Sequence, residues 1–378
     1  MNTKLKIGIT GQAGFVGTHL FHTLALYPDS YERIPFEDSF FLSQEALENF
    51  VSSCDVIVHL AAVNRAENLE ELYNTNISLV SNLIAAMEKT SSTPLVLFSS
   101  SIQEKLDNPY GKSKVEGRLL FEAWAKKKNA SFISLLVPNV FGPFCKPNYN
   151  SFVATFCHKL THGEEPQVLS DSSVKLISVS SLCAYIIETI EKNKTSNLIT
   201  QIEVPYDFEK KVTEILVLLQ TFKEQYFDQG SIPFLKNDDD IALFNTFCSY
   251  IDHEKYFPRK LRLNTDERGS FVETIRLGVG GQVSFSTTVP GITRGNHYHT
   301  RKIERFTVIK GKALIEIRKI GTNKILSFIL DGTEPSYVDM PIWYTHNIKN
   351  IGTEDLYTQF WINEWYDENN PDTYFEKV

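Results

Sequence analysis

The chain has 378 residues, 42% hydrophobic and 22% charged, with a formal net charge of −8. That length exceeds what one hydrophobic core usually serves, so two domains are expected. The acidic balance, with no long run of one sign, argues against a nucleic-acid surface, and no apolar run approaches the ~20 residues needed to cross a bilayer. The start, MNTKLKIGIT, has no secretory h-region. Five cysteines (Cys54, Cys145, Cys157, Cys183, Cys248) are scattered without a C-x-x-C. They fit a reducing cytosol, so a cytoplasmic chain without membrane insertion is expected.

LKIGIT (Leu5 to Thr10) is a short apolar run rich in β-branched residues, as in a buried parallel strand. GQAGFVG follows, with Gly11, Gly14 and Gly17, and Phe15 and Val16 open a segment with helical apolar spacing. Strand, glycine turn and helix form a dinucleotide fingerprint. The glycines allow a tight turn and close approach of backbone to pyrophosphate at the helix N-terminus. This Gly-x-x-Gly-x-x-Gly spacing resembles the short-chain dehydrogenase/reductase superfamily, in its extended, sugar-nucleotide branch. DVIVHLAAVNR (Asp55 to Arg65), with Ala61, Ala62 and Arg65, looks like that family's turn beside the adenosine ribose. Asn76 stands where those enzymes carry a helix asparagine. Arg33, near the end of the second strand, or Arg65 can pair with a 2′-phosphate, so NADPH is expected.

TPLVLFSSS (Thr93 to Ser101) reads as the next strand, and Tyr110-Gly-Lys-Ser-Lys114 is the family's Tyr-x-x-x-Lys. Positions i and i+4 share a helix face, so Lys114 should approach the Tyr110 hydroxyl and lower its pKa. The phenol then exchanges a proton with a sugar carbonyl while nicotinamide moves hydride. A serine orients the carbonyl: Ser101 is the choice, with Ser99 and Ser100 as alternatives. Ser101 and Tyr110 are only nine residues apart, unusually close for this branch. VPNVFGPFCKPNYNS (Val137 to Ser151) resembles the turn leading to the substrate, which makes Asn139, Lys146, Asn148 and Asn150 candidate sugar-nucleotide contacts.

Residues 165 to 255 carry helix and strand signals but little chemistry, and are expected to cover the nucleotide. Two domains are therefore read: 1–255, an α/β Rossmann-type doubly wound parallel sheet, and 262–378, an all-β domain. The second has short alternating strands and Gly turns. Within it, GITRGNHYHTRKIERFTVIKG places His297 and His299 two apart, on one strand face. Glu304 follows, and His346 lies beyond the next strands. Three imidazoles and a carboxylate can hold a borderline divalent metal such as zinc.

The pattern resembles the cupin superfamily: Gly291, His297, His299, Glu304 and Gly311 match its first motif, and Gly332, Pro341, His346 and Asn350 its second. Trp343 stands where a Gly is usual. DERGSF (Asp266 to Phe271) and Arg294-Gly295-Asn296-His297 resemble the cupin-type deoxysugar 3,5-epimerases, which implies that His297 is a general base. End to end, the chain is similar to the bifunctional enzymes of capsular polysaccharide synthesis, a reductase fused to a cupin (jelly-roll barrel). That resemblance implies C3 epimerisation and C4 reduction of a UDP-activated 4-keto-6-deoxy-N-acetylhexosamine by a homodimer. Two other readings remain open: a reductase whose cupin serves only dimerisation, and a nucleotide-sensing regulatory protein.

Overall fold

In the computed structural model, residues 4–196, 198–266, 269–278 and 280–378 are described. The first part of the chain alternates strand and helix: β1 (Leu5–Thr10), α1 (Phe15–Ala25), β2 (Tyr31–Ile34), α2 (Gln44–Ser52), β3 (Val56–His59), α3 (Leu69–Thr90), β4 (Leu95–Ser101), α4 (Pro109–Lys128) and β5 (Phe132–Val137). Then come β6 (Asn139–Phe141), α5 (Phe152–Thr161), β7 (Ser173–Ser178), α6 (Val179–Asn193), β8 (Ile199–Glu203) and β9 (Phe208–Lys211). Six strands form one parallel sheet in the order β2-β1-β3-β4-β5-β8. Its strands are apolar on both faces because helices cover both. Val56 and Val58 pack with Leu20 and Leu24 of α1 and Ile186 and Ile190 of α6. Ile57, between them, points the other way, toward Phe50 of α2, Leu83 of α3 and Phe121 of α4. This is the doubly wound Rossmann-type sheet expected.

The rest of the chain holds α7 (Val212–Phe222), a π-helical turn (Lys223–Asp228), α8 (Asp238–Cys248), α9 (His253–Tyr256), and then strands alone. These are β10 (Arg259–Lys260), β11 (Leu263–Asp266), β12 (Gly269–Val272), β13 (Gln282–Thr288), β14 (Thr293–Tyr298), β15 (Glu304–Lys310), β16 (Lys312–Lys319), β17 (Ile325–Asp331), β18 (Ser336–Met340), β19 (Tyr344–Asn350), β20 (Leu356–Ile362) and β21 (Tyr374–Phe375). Two antiparallel five-stranded sheets, β10-β18-β15-β20-β13 and β17-β16-β19-β14-β21, give the all-β cupin-like architecture. Period-2 alternation sets their cores: Ala313, Ile315 and Ile317 of β16 are buried. Glu267 and Arg268 of the DERGSF stretch lie outside the described residues.

Compactness divides the chain into residues up to Phe152 with Ser172–Lys211, and Val153–Asp171 with Val212–Val378. The helices between 212 and 256 thus group with the strands that follow them, and the compact division falls earlier than a boundary between 255 and 262. The contacts are specific. Arg305 on β15 and Asp339 on β18 are register partners and form a buried two-point ion pair at 2.8 and 2.9 Å. The Tyr226 hydroxyl, from the π-helical turn, donates to Asp339 at 2.6 Å. Among the described residues, no helix is long and apolar enough to cross a membrane.

Candidate active sites

In the first unit the chain runs from β1 to β2 on one side, then returns to β1's other side as β3. Open α/β sheets bind ligands at such a reversal, and the glycine turn lies there. Gly11 has φ +68, and a Cβ on it would stand 2.9 Å from the Ala61 nitrogen. A Cβ on Gly17 would stand 2.2 Å from the Gly11 carbonyl oxygen. Gly14 is the N-cap of α1 and offers no side-chain cap. The first-turn N–H groups of Phe15, Val16 and Gly17 therefore lack intrahelical acceptors, the arrangement that suits a phosphate.

Ala61 and Ala62 follow β3, in a loop fastened from both sides. Thr10 Oγ1 accepts from Ala61 N at 3.4 Å. Asn76 of α3 brackets Val63, accepting from its N–H at 2.7 Å and donating to its carbonyl at 3.1 Å. Arg65 is exposed in the same loop. Arg33 is held against α1: its guanidinium lies 4.3 Å from the Phe21 ring centroid and donates to the Phe21 carbonyl at 3.2 Å.

Asn108 caps α4, its Oδ1 accepting from Gly111 N at 2.7 Å, and Pro109 opens the helix. Tyr110 and Lys114 thus sit one turn apart on one face. Lys114 is buried; its Nζ donates to the Ser99 carbonyl at 2.7 Å and lies 5.6 Å from the Tyr110 ring centroid. Burial pushes Lys114 down to about 8, against the opposing effect of Glu104. The Tyr110 phenol departs from the sequence expectation. Burial, then the nearby Tyr149 phenol, raises it to about 12. No lowering from Lys114 offsets this, and the Lys114 ammonium is hydrogen-bonded to the Ser99 carbonyl. Tyr110 therefore holds its proton throughout the neutral range and suits the role of proton donor. Ser101 Oγ accepts from Gln103 N at 3.1 Å, while Ser100 Oγ donates to Glu104.

Asn139 on β6 donates to the Lys175 carbonyl at 3.3 Å. Lys146, Asn148 and Asn150 are exposed, with half-buried Tyr149 among them. The Lys146 ammonium lies 5.4 Å from the Tyr149 ring centroid. Sequence reasoning missed Tyr149; its place inside the Lys146–Asn150 loop was the available signal.

In the second unit His297, His299, Glu304 and His346 converge, with their ligand atoms all within 4.8 Å of one another. His297 and His346 are register partners on β14 and β19, and a bulge at Gly295–His297 re-aims the β14 histidines. Glu304 Oε2 lies 3.1 Å from His346 Nε2, 3.2 Å from His299 Nε2 and 4.0 Å from His297 Nε2. His299 Nδ1 donates to the Asp372 carbonyl, so in the neutral ring Nε2 carries a lone pair. His346 Nδ1 donates to the Tyr344 carbonyl at 3.3 Å, with the same result. Burial alone would raise the Glu304 pKa, but His299 and His346 outweigh it and hold the carboxyl well below the usual range. Burial, then His346 and His299, lowers His297 to about 4, so its ring is neutral at pH 7. The lowered Glu304 pKa requires N–H donors or positive charge facing its carboxylate, a place that a divalent cation bound by the three imidazoles would take. A tetrahedron with ~2.1 Å bonds has edges of ~3.4 Å, and the distances from Glu304 to the three imidazoles, 3.1, 3.2 and 4.0 Å, bracket that value. Trp343, where a Gly is usual, has φ 61: the left-handed conformation is kept, with the indole stacked 5.7 Å from Tyr298.

Residues 7–197 match the NAD dependent epimerase/dehydratase family, and residues 264–374 match the polysaccharide biosynthesis C-terminal domain. The UDP-2-acetamido-2,6-beta-L-arabino-hexul-4-ose reductase of Pseudomonas aeruginosa is 33% identical over 373 residues, 98% of each chain. The chain belongs to the NAD-dependent epimerase/dehydratase family. A crystal structure of the capsular polysaccharide assembling protein CapF from Staphylococcus aureus is 37% identical, covers 99% of this chain and 100% of that one, and has a TM-score of 0.62. The fused type, reductase followed by cupin, is thus matched end to end. A structure of RMD from Pseudomonas aeruginosa complexed with NADPH, at 19% identity, shares the fold over 58% of this chain and 83% of that one (TM-score 0.51). As a family member the chain is a reductase/epimerase-type enzyme with a nicotinamide cofactor.

Proposed function

We propose that the two sites act in turn on one UDP-activated 2-acetamido-2,6-dideoxy-4-hexulose, in capsule or O-antigen sugar synthesis. Residues 1–255 serve reduction and residues 262–378 serve C3 epimerisation. The observation that carries this reading is one chain with two carbonyl-directed sites, Tyr110 with Lys114 and the four-residue cluster around Glu304. A single C4 ketone explains both, because it acidifies the C3 hydrogen and later accepts hydride. The names of the relatives, a hexul-4-ose reductase and a capsular protein, support the substrate class.

In epimerisation His297 removes the C3 proton and the enolate is reprotonated from the opposite face. A zinc ion held by His297, His299, Glu304 and His346 would supply Lewis acidity toward the ketone oxygen. One lone pair cannot bind metal and accept a proton together. His297 is the loosest member, 4.0 Å from Glu304, and its side chain is 25% exposed. That favours His299, Glu304 and His346 as the tighter ligands, with His297 free to move the proton.

In reduction Ser101 orients the carbonyl, Tyr110 protonates the C4 oxygen, and Lys114, once its ammonium turns from the Ser99 carbonyl, stabilises the phenolate left behind. NADPH supplies the hydride. Asn139, Lys146, Asn148 and Asn150 contact the sugar nucleotide. The product is UDP-2-acetamido-2,6-dideoxy-L-talose, precursor of N-acetyl-L-fucosamine, and the working form is a homodimer. Tyr110→Phe incubated with the keto-sugar in D2O should take up deuterium at C3 without reduction, read by NMR and mass. Absence of exchange would leave the cupin a dimerisation module.

A further inference from the structure

The connection between Ser101 and Tyr110 has a chemical peculiarity beyond its shortness. After β4 the chain makes a 3-10 turn, Ile102–Lys105, that lies directly on the start of α4. A Cβ on Gly111 would stand 2.2 Å from the Gln103 carbonyl oxygen. From this turn Glu104 points inward, its side chain only 9% exposed. Its carboxylate accepts from the Ser100 hydroxyl of β4. It also accepts from Arg118 Nε of α4 at 3.3 and 3.2 Å, and from Gln201 Nε2 of β8 at 3.3 and 3.2 Å. One carboxylate therefore joins the serine-bearing strand end to the helix that carries Tyr110 and Lys114. We propose that Glu104 is a positioning residue for reduction: it clamps β4 to α4 in place of a longer loop and so fixes the surroundings of Tyr110 and Lys114.

The groups facing Lys114 make this choice specific. From its own helix comes Tyr110, 5.6 Å away at the ring centroid. From β4 come the Ser99 carbonyl and the Phe98 ring, neither of them charged. From β3 comes His59, a buried imidazole held neutral, to about 3, by burial and then by Lys114 itself. Glu104 is the only anion acting on Lys114 among the described residues, and it opposes burial. Removing its charge lowers the pKa of Lys114 further, and the ammonium is lost at a lower pH.

This inference rests on the reductase reading above. The experiment compares full-length wild type, Glu104→Gln, Glu104→Asp, Ser100→Ala and Glu122→Gln with NADPH and the UDP-4-keto-sugar across pH. Glu122 pairs with Arg118 at 2.9 Å and serves as a control for lost surface charge. Glu104→Gln is expected to lose about tenfold in kcat with KM little changed, and to move the alkaline limb of kcat to lower pH. Glu104→Asp should restore the limb in part. Ser100→Ala, which keeps the carboxylate charged, should lower kcat without moving the limb, and Glu122→Gln should change neither. NADPH affinity, read by nucleotide fluorescence without turnover, should stay within twofold in folded variants. An unmoved limb in Glu104→Gln overturns the proposal, whatever happens to kcat. So does any shift of the limb in Ser100→Ala, or, if Glu104→Gln does not fold, an unmoved limb in Glu104→Asp. Wild type that oxidises no NADPH with the keto-sugar overturns the reductase reading itself, a separate outcome.

Discussion

A single backbone carbonyl sets the tautomer of one candidate metal ligand. Asp372, with φ 43 and 2% exposed, presents its carbonyl to His299 Nδ1. Its carboxylate takes the Thr300 N–H at 3.0 Å and hydroxyl at 2.7 Å, the Arg301 N–H at 3.0 Å and the Lys302 N–H at 3.0 Å. The turn after β14 and the tautomer of His299 thus depend on one residue 73 positions away in the chain. Outer partners of ligating histidines govern metal affinity by about 10–100-fold. Asp372→Ala keeps the backbone carbonyl but removes the carboxylate that fixes the turn presenting it, and should weaken zinc binding by about tenfold in competition with a chromogenic chelator, while secondary structure persists by circular dichroism. Wild-type affinity in the variant would refute the link. No local pattern marks Asp372, because its partners are reached only through folding.

Among elements, the Arg305–Asp339 pair joins two strands and takes Tyr226 from the π-helical turn. Arg305 and Asp339 are 2% and 1% exposed, so neither charge is solvated without the other. Asp339→Asn leaves the guanidinium buried without its counter-ion and should destabilise the second unit by about 3–5 kcal/mol in urea unfolding. The exposed pair Lys260–Glu334, at 78% and 70% exposure, is the contrast: Glu334→Ala should cost less than ~1 kcal/mol. A stable Asp339→Asn unit would mean that Tyr226 and solvent suffice. The strands themselves were legible in alternation. That α7 and α8 group with β-strands was not, because an amphipathic face does not name its partner.

At the scale of the molecule, each compact unit carries a buried neutral histidine. Burial, then Lys114, lowers His59 to about 3. Burial, against Asp252 and Asp339, lowers His253 to about 4. Both values lie below the ordinary ~6.5 of an exposed imidazole. Between the two limits the unfolded chain binds more protons than the folded one, so stability falls as pH drops from ~6.5 toward 4. At pH 5 each histidine should cost about 2 kcal/mol. Urea midpoints at pH 7.5 and 5 test this. His59→Phe and His253→Phe should each flatten the dependence of their own unit, and an undiminished slope in both would assign acid sensitivity elsewhere.

The sequence by itself determined the two architectures and the identity of most chemical groups. Glycine spacing, a Tyr-x-x-x-Lys step and a His-x-His pair express local geometry: a turn that needs φ > 0, one helical repeat, one strand face. Those constraints act over a few residues and leave a readable trace. Only the tertiary structure decided which way the Tyr110 phenol is shifted, which anion acts on Lys114, what holds His299, and which unit claims residues 212–256. Each of these depends on burial or on a partner far along the chain. Burial and long-range pairing are properties of the packed whole, where dielectric and neighbours are set together.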